Sequence, residues 1–155
     1  MRAIGKGVGM PLIGVPTSVT PELLYALARC GHGDRMVIAD ANFPSDSVAT
    51  SCVIKAPIRV SGSTSDILKD ILNLLPLDQY LSHKIYVMDR VQSDKDKDLH
   101  VPAYEALRQA AAIEAREVSY VERFDFYKMA KEGFVVIQTD DTNLYANVII
   151  SKGVL

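Results

Sequence analysis

Capped amphipathic segments alternate with short apolar runs along this chain. Of all its sequence features, this alternation most restricts the folds that the chain can adopt. The segment "TPELLYALARCG" has Thr20 as a helix N-cap and Pro21 at the first helical position. "MVIAD" follows it at 36–40 and has the length of one buried strand. Such segments mix throughout, without repeats or an internal linker. The pattern predicts a single α/β domain, with a central β-sheet flanked by helices.

The remaining segments extend this prediction to the whole chain. Strands are expected at "SCVIKAPIRV", "KIYVMDRV", "EVSYVE", "FVVIQT" and "LYANVIIS". A helix is expected over "STSDILKDILNLLP", with Ser63 as its N-cap. Two further helices are expected, one from Pro102 to about Arg116 and one over "RFDFYKMAKEG". The charged "QSDKDKDLH" is expected to form a loop. Residues 1–10 are glycine-rich and lack periodicity, so we expect a loose extension before one domain at 11–155.

Composition excludes several function classes. The 155 residues are 48% hydrophobic and carry a net charge of −2, which offers no basic surface for nucleic acid. No apolar run approaches the ~20 residues of a membrane helix, and the N-terminus has no secretory apolar region. We therefore expect no membrane or nucleic-acid partner and a cytoplasmic location. Cys30 and Cys52 are expected to be reduced cysteines of the core or the surface, with a catalytic thiol as the alternative.

Metal and cofactor chemistry is not indicated. Leu99 stands where a calcium loop requires glycine, although acidic residues approach the spacing of such a loop (Asp94, Asp96, Asp98 and Glu105). His83 and His100 have no histidine or cysteine partner at zinc-ligand spacing. We therefore expect no metal site.

His32 is the first candidate for chemistry, because it lies between two glycines at the end of the first predicted helix. We expect Gly31 to adopt the left-handed conformation that ends the helix, and Gly33 to form a second turn. A helix C-terminus favours the imidazolium, which suits proton transfer near neutral pH. The alternative is a histidine that only caps the last carbonyls.

Four further residues have side chains suited to a polar ligand. Asp40 ends a predicted strand, where ligands of α/β sheets gather, although it could equally cap a turn. Strand alternation places Tyr145 and Asn147 on one face, offering an acid/base hydroxyl beside an orienting amide or a solvent-facing stretch. Arg123 enters a helix among aromatic residues, where a guanidinium could grip hydroxyl oxygens or simply be solvated.

From about Leu12 to Leu155 the chain resembles the fucose mutarotase family, which is related to the bacterial ribose pyranases. The resemblance rests on "PELLYALARCGHGD", "ADANFP", "LLPLDQY", "VERFDFY" and "LYANVIISKGVL", in that order. It implies a cofactor-independent isomerase that interconverts the α and β anomers of a free sugar, L-fucose in this branch. Arg123 favours the fucose branch, whereas "YAN" matches the ribose branch in place of the usual "YGN".

The same resemblance implies roles for the candidate residues. His32 would be the proton donor and Tyr145 the candidate for the complementary proton, while Asp40, Arg123, Tyr145 and Asn147 would bind the sugar. We expect His32 and Asp40 to meet at the rim of one pocket. A homo-oligomer with sites near subunit contacts is also implied. The alternatives are a ribose pyranase, which interconverts pyranose and furanose forms, and a monosaccharide-binding module without catalysis.

Overall fold

A mixed sheet of six short strands forms the centre of the molecule. A computed structural model describes residues 12–112, 114 and 117–155, so the predicted extension at 1–10 lies outside the described residues. The strands follow the order β2-β5-β1-β6-β3-β4 across the sheet. β6 runs antiparallel between β1 and β3, and the other neighbouring pairs are parallel. Their bounds are β1 Arg35–Ala39, β2 Ile58–Arg59, β3 Ile85–Met88, β4 Ser119–Val121, β5 Val135–Gln138 and β6 Val148–Ser151.

Helices cover both faces of this sheet, which confirms the predicted α/β domain. Helices α1, α3 and α5 pack on one face, and α2 and α6 pack on the other. Successive β1 residues alternate between the two cores, with Met36 facing the first and Val37 the second. Both are fully buried. The helices are α1 Pro21–Arg29, α2 Ser45–Ala49, α3 Thr64–Leu72, α4 Gln92–Asp96, α5 Pro102–Ala111 and α6 Arg123–Lys131. No helix of the described residues is long and apolar enough to span a bilayer.

The predicted helix starts are confirmed, but the turn after α1 differs from the prediction. Thr20 Oγ1 accepts a hydrogen bond from the Leu23 N–H at 3.2 Å, as an N-cap does. Gly31 does not have a positive φ, whereas Gly33 does, at +83°. The Gly31 N–H instead donates to the Asp34 carboxylate at 2.7 Å, so a side chain closes this turn. The prediction of a left-handed Gly31 is therefore wrong.

Other predicted boundaries also move. Residues 92–96 form the short helix α4 where a loop was expected, and α5 ends at Ala111, with Arg116 outside the described residues. The predicted strand at 51–60 shrinks to β2, because Pro57 has no N–H to donate to a ladder. The last strand begins at Val148 rather than 144, because Tyr145 has a left-handed φ of +60°.

The two ends of the sheet carry different parts of the sequence. We call the edge where β1, β3, β4 and β5 end the carboxyl edge, and the edge where they begin the amino edge. Since β6 is antiparallel, it starts at the carboxyl edge and ends at the amino edge. The carboxyl edge therefore gathers Asp40, Arg123 and Asn147, whereas the amino edge gathers His32 and the chain after β6.

Candidate active site

A cavity of about 330 Å³ with both polar and apolar lining residues opens at the carboxyl edge, a volume in the range of small-molecule sites. The ends of β1 and β3, the start of α6, helix α4 and the segment before β6 surround it. Four of the predicted site residues line it together. The lining consists of Asp40, Asn42, Phe43, Met88, Val91, Asp94, Arg123, Tyr127, Leu144, Tyr145 and Asn147. Within the described part of the chain, no group of three or more His, Cys, Asp or Glu side chains could hold a metal ion.

Asp40 and Asn147 form a reciprocal pair at the base of this cavity. The Asn147 side-chain amide donates to Asp40 Oδ2, and its carbonyl oxygen accepts from the Asp40 N–H, each at 2.9 Å. The Asn42 N–H donates to the other carboxylate oxygen at 2.9 Å. Both residues are only 4% exposed. Burial raises the pKa of the Asp40 carboxyl, while the hydrogen bonds from Asn42 and Asn147 oppose that rise.

Ionisation of the buried Asp40 carboxyl should make the free energy of unfolding depend on pH. Its folded-state pKa is raised above the unfolded value, which is about 3.9 for aspartate, so the folded chain binds the proton more tightly. Its contribution to stability is therefore complete below the unfolded pKa and is lost as pH rises through the folded pKa. We expect this decline in urea denaturation of the wild type and its absence in Asp40→Asn.

The matched control for that measurement is Asp46→Asn. Asp46 pairs with Arg59 at 2.7 Å, but its side chain is 76% exposed. The control should keep the wild-type dependence of unfolding free energy on pH. Identical pH profiles for Asp40→Asn and the wild type would show that the Asp40 proton does not distinguish the folded from the unfolded state.

Tyr145 is held in the cavity by α4. Its hydroxyl donates to Asp94 and accepts from the Val91 N–H at 3.2 Å. Burial and the bond to Asp94 raise the pKa of the phenol. The predicted strand alternation does not explain this position of Tyr145. Tyr145 lies before β6, and its neighbour Leu144, predicted on the opposite face, lines the same cavity. Asp94 was missed as a site residue because its charged segment is typical of a solvated loop.

Arg123 contributes an unused donor. It begins α6, whose N-terminus is capped by the Glu122 carboxylate through the N–H groups of Phe124 and Asp125. Its guanidinium carbon lies 4.7 Å from the centroid of the Phe124 ring. Its Nε is buried and has no hydrogen-bond partner among the described residues. A buried N–H that is unpaired at a cavity wall is suited to an oxygen of a bound ligand.

His32 does not lie in this cavity. It precedes β1 at the amino edge, whereas Asp40 follows β1, and the intervening strand separates the two by roughly 20 Å at 3.3 Å per residue. The expectation that both residues meet at one rim is therefore wrong within a single chain, because β1 lies between them. The His32 side chain is 45% exposed, so its imidazole is accessible from outside the subunit.

The fold and the cavity together define a class: α/β proteins that bind a small polar molecule at the carboxyl edge of the sheet. The model of the RbsD / FucU transport protein family matches residues 14–155. The chain is 46% identical over 149 residues to the fucose mutarotase of Homo sapiens, covering 93% of this chain and 94% of that protein. The chain therefore belongs to the RbsD / FucU family.

Solved structures agree with this assignment. The fucose mutarotase of Streptococcus pneumoniae in complex with L-fucose matches with a TM-score of 0.79 and 33% identity, covering 93% of this chain and 99% of that chain. FucU of Bifidobacterium longum matches with a TM-score of 0.79 and 35% identity, covering 92% and 99%. The predicted fold, that of the ribose pyranases and fucose mutarotases, is thus confirmed.

Proposed function

We propose that this protein is an L-fucose mutarotase, an isomerase that interconverts the α and β anomers of the free sugar. The observation that carries the proposal is the cavity at the carboxyl edge. It combines the Asp40–Asn147 pair, the free donor of Arg123 and the hydroxyl of Tyr145 within reach of one small ligand. The likeness to a fucose mutarotase solved with L-fucose supports the same substrate.

Sugar binding is assigned to the fixed polar groups of the cavity. Asp40, Asn147 and Arg123 offer acceptors and donors for the hydroxyls, together with the Tyr145 hydroxyl. Phe43 and Tyr127 are in edge contact, with ring centroids 5.6 Å apart, and form an apolar part of the wall. A pyranose has one polar rim and apolar C–H patches, and this lining matches both.

Mutarotation needs one group to protonate the ring oxygen and another to accept the anomeric proton. In the proposed reaction the His32 imidazolium gives its proton to the ring oxygen as the bond between C1 and the ring oxygen breaks. The Tyr145 hydroxyl takes the anomeric proton while its own proton passes to Asp94. The aldehyde turns about its C1–C2 bond, and the reverse transfers close the ring on the other face. Each positioned group contributes on the order of 10²–10⁴-fold.

This reaction requires two copies of the chain, because His32 and the cavity occupy opposite edges. We therefore propose a homo-oligomer in which His32 of one copy enters the cavity of the next. Large exposed apolar side chains occur near both parts, as at interfaces. At the amino edge they are Tyr80, whose ring centroid lies 5.6 Å from that of His32, and the adjacent Leu81. Beside the cavity they are Phe124 and Leu144. The cytoplasm is the proposed location, where free thiols such as those of Cys30 and Cys52 persist.

Exchange NMR of the anomeric protons of L-fucose at equilibrium tests this function. The wild type should exchange the two anomers faster than buffer, and the exposed-carboxylate variant Asp46→Asn should match the wild type. Exchange at the buffer rate with saturation transfer to the bound sugar would favour the monosaccharide-binding module. Catalysis confined to D-ribose, with pyranose–furanose exchange, would favour the pyranase activity.

A further inference from the structure

Asp94 lines the cavity with a carboxylate of which the proposed reaction uses only one oxygen. Its Oδ2 accepts the hydrogen bond from the Tyr145 hydroxyl. Its Oδ1 has no hydrogen-bond or ion-pair partner within the described part of the chain. The residue is partly buried. A carboxylate oxygen that lines a cavity and has no partner is an acceptor available to a bound ligand.

The backbone of α4 holds this carboxylate at the cavity wall. The Asp94 N–H donates to the Val91 carbonyl at 3.0 Å, and the Asp94 carbonyl accepts from the Leu99 N–H at 2.9 Å. The adjacent cation does not neutralise the carboxylate, because Lys95 forms its ion pair with Asp89. Oδ1 is therefore fixed in position and not occupied by the neighbouring ammonium group.

The Tyr145 hydroxyl beside Asp94 can meet a sugar only as an acceptor. Its single proton is donated to Asp94, and one of its acceptor positions is taken by the Val91 N–H at 3.2 Å. In the proposed reaction the remaining acceptor position receives the anomeric hydroxyl. A group bound by Oδ1 of Asp94 must therefore lie next to the anomeric hydroxyl and must donate a hydrogen bond.

The chemistry of a pyranose leaves one group that meets both conditions. Two oxygens flank the anomeric hydroxyl: the ring oxygen and the 2-hydroxyl. The ring oxygen carries no hydrogen, so a carboxylate oxygen cannot bind it, and in the proposed reaction it faces His32. The 2-hydroxyl has a proton to donate. Because both oxygens of Asp94 belong to one carboxylate, Oδ1 lies close to Tyr145 and to the hydroxyl bound there.

We propose that Asp94 binds the sugar directly, with Oδ1 accepting a hydrogen bond from the 2-hydroxyl while Oδ2 holds Tyr145, an inference that rests on the proposed function. No bond of the sugar forms or breaks at this contact. It holds C2 in place while C1 turns about the C1–C2 bond of the open chain. The Arg123 Nε, buried and without a hydrogen-bond partner among the described residues, offers the complementary donor to another oxygen of the same sugar.

The test compares the binding of L-fucose with that of 2-deoxy-L-fucose, which lacks only the proposed donor. NMR titration gives the Kd of each sugar for the wild type, Asp94→Ala and Asp96→Ala. Asp96 is the matched control, because it is an exposed aspartate of the same helix whose side chain bonds Gln92 at 2.7 Å, outside the cavity.

We expect the wild type and Asp96→Ala to bind L-fucose roughly tenfold or more tightly than 2-deoxy-L-fucose, as for a hydrogen bond to a charged acceptor. Asp94→Ala should bind the two sugars with nearly equal Kd. Comparing the two sugars removes any effect of the variant on Tyr145, because a displaced phenol weakens both sugars alike.

Equal Kd values of the wild type for the two sugars would overturn the inference, and this result does not depend on the folding of any variant. A preference for L-fucose that persists in Asp94→Ala would also overturn it, since another group would then hold the 2-hydroxyl. Failure of the proposed function is a separate result. The wild type would then leave anomer exchange at the buffer rate, whether or not the Kd values depend on Asp94.

Discussion

When His32→Ala and Asp40→Asn are co-expressed, we expect about a quarter of wild-type activity. In the proposed oligomer, random assembly gives one site in four both an intact His32 from one copy and an intact Asp40 from the next. Each variant alone should be nearly inactive, with His32→Ala down on the order of 10²–10⁴-fold. In Asp40→Asn only one side-chain oxygen remains, so the new NH2 group must face either the Asn147 amide or the Asn42 N–H, a donor against a donor where a carboxylate oxygen accepted. The measurement is anomer exchange of L-fucose by co-purified, differently tagged copies.

The double variant His32→Ala/Asp40→Asn provides the matched control. Co-expressed with Asp40→Asn, it supplies no intact cavity, so the mixture should stay inactive. Recovery in the first mixture and none in the second would place His32 and Asp40 of different copies in one site. Activity of the first mixture no greater than that of its separate components would mean that each site is built within one copy, against the proposed oligomer.

Gly153→Ala is expected to destabilise the fold by about 3 kcal/mol, at the upper end of overpacking costs. A Cβ at this position would lie 2.2 Å from the Leu77 carbonyl oxygen and 3.0 Å from the Asp78 nitrogen. Both are backbone atoms, so no side chain can swing aside. The Gly153 N–H also donates to the Pro76 carbonyl at 2.8 Å, which ties the two segments together. Urea denaturation measures the loss.

Gly31→Ala is the control for that measurement. Its Cβ would meet only the Asp34 carboxylate, at 3.6 Å, and the backbone there does not have a positive φ. Its unfolding free energy should stay within about 1 kcal/mol of the wild type. Equal stabilities for Gly153→Ala and Gly31→Ala would show that the chain after β6 separates from the Leu77–Asp78 backbone at little cost.

Local rules predicted much of the fold because they depend on neighbours in sequence. The Thr20 cap and Pro21 mark the start of α1, and the apolar run at 36–39 is long enough only for a strand. The position of Asp40 also follows, since a strand that ends on an acid places that acid at the carboxyl edge. These features need no knowledge of distant contacts.

The arrangement of the site could not be predicted in the same way. Within one chain the distance between His32 and Asp40 depends on the length of β1, which no sequence motif specifies. The position of Asp94 depends on α4 turning a charged segment toward Tyr145, and long-range packing decides that turn. The left-handed φ of Tyr145 likewise contradicts strand alternation. A site assembled from several elements is therefore the part least visible in the sequence.

The short length of β6, four residues, limits which sequence changes the chain can tolerate. β6 begins immediately after Asn147 at the carboxyl edge and ends at Ser151, whose carbonyl accepts from Asp78 at the amino edge. Inserting or deleting one residue would turn Ile149 and its neighbours to the opposite faces. It would also change the distance between the two edges. Substitutions that preserve apolar volume are compatible with this strand, whereas lengthening or shortening it by one residue is not.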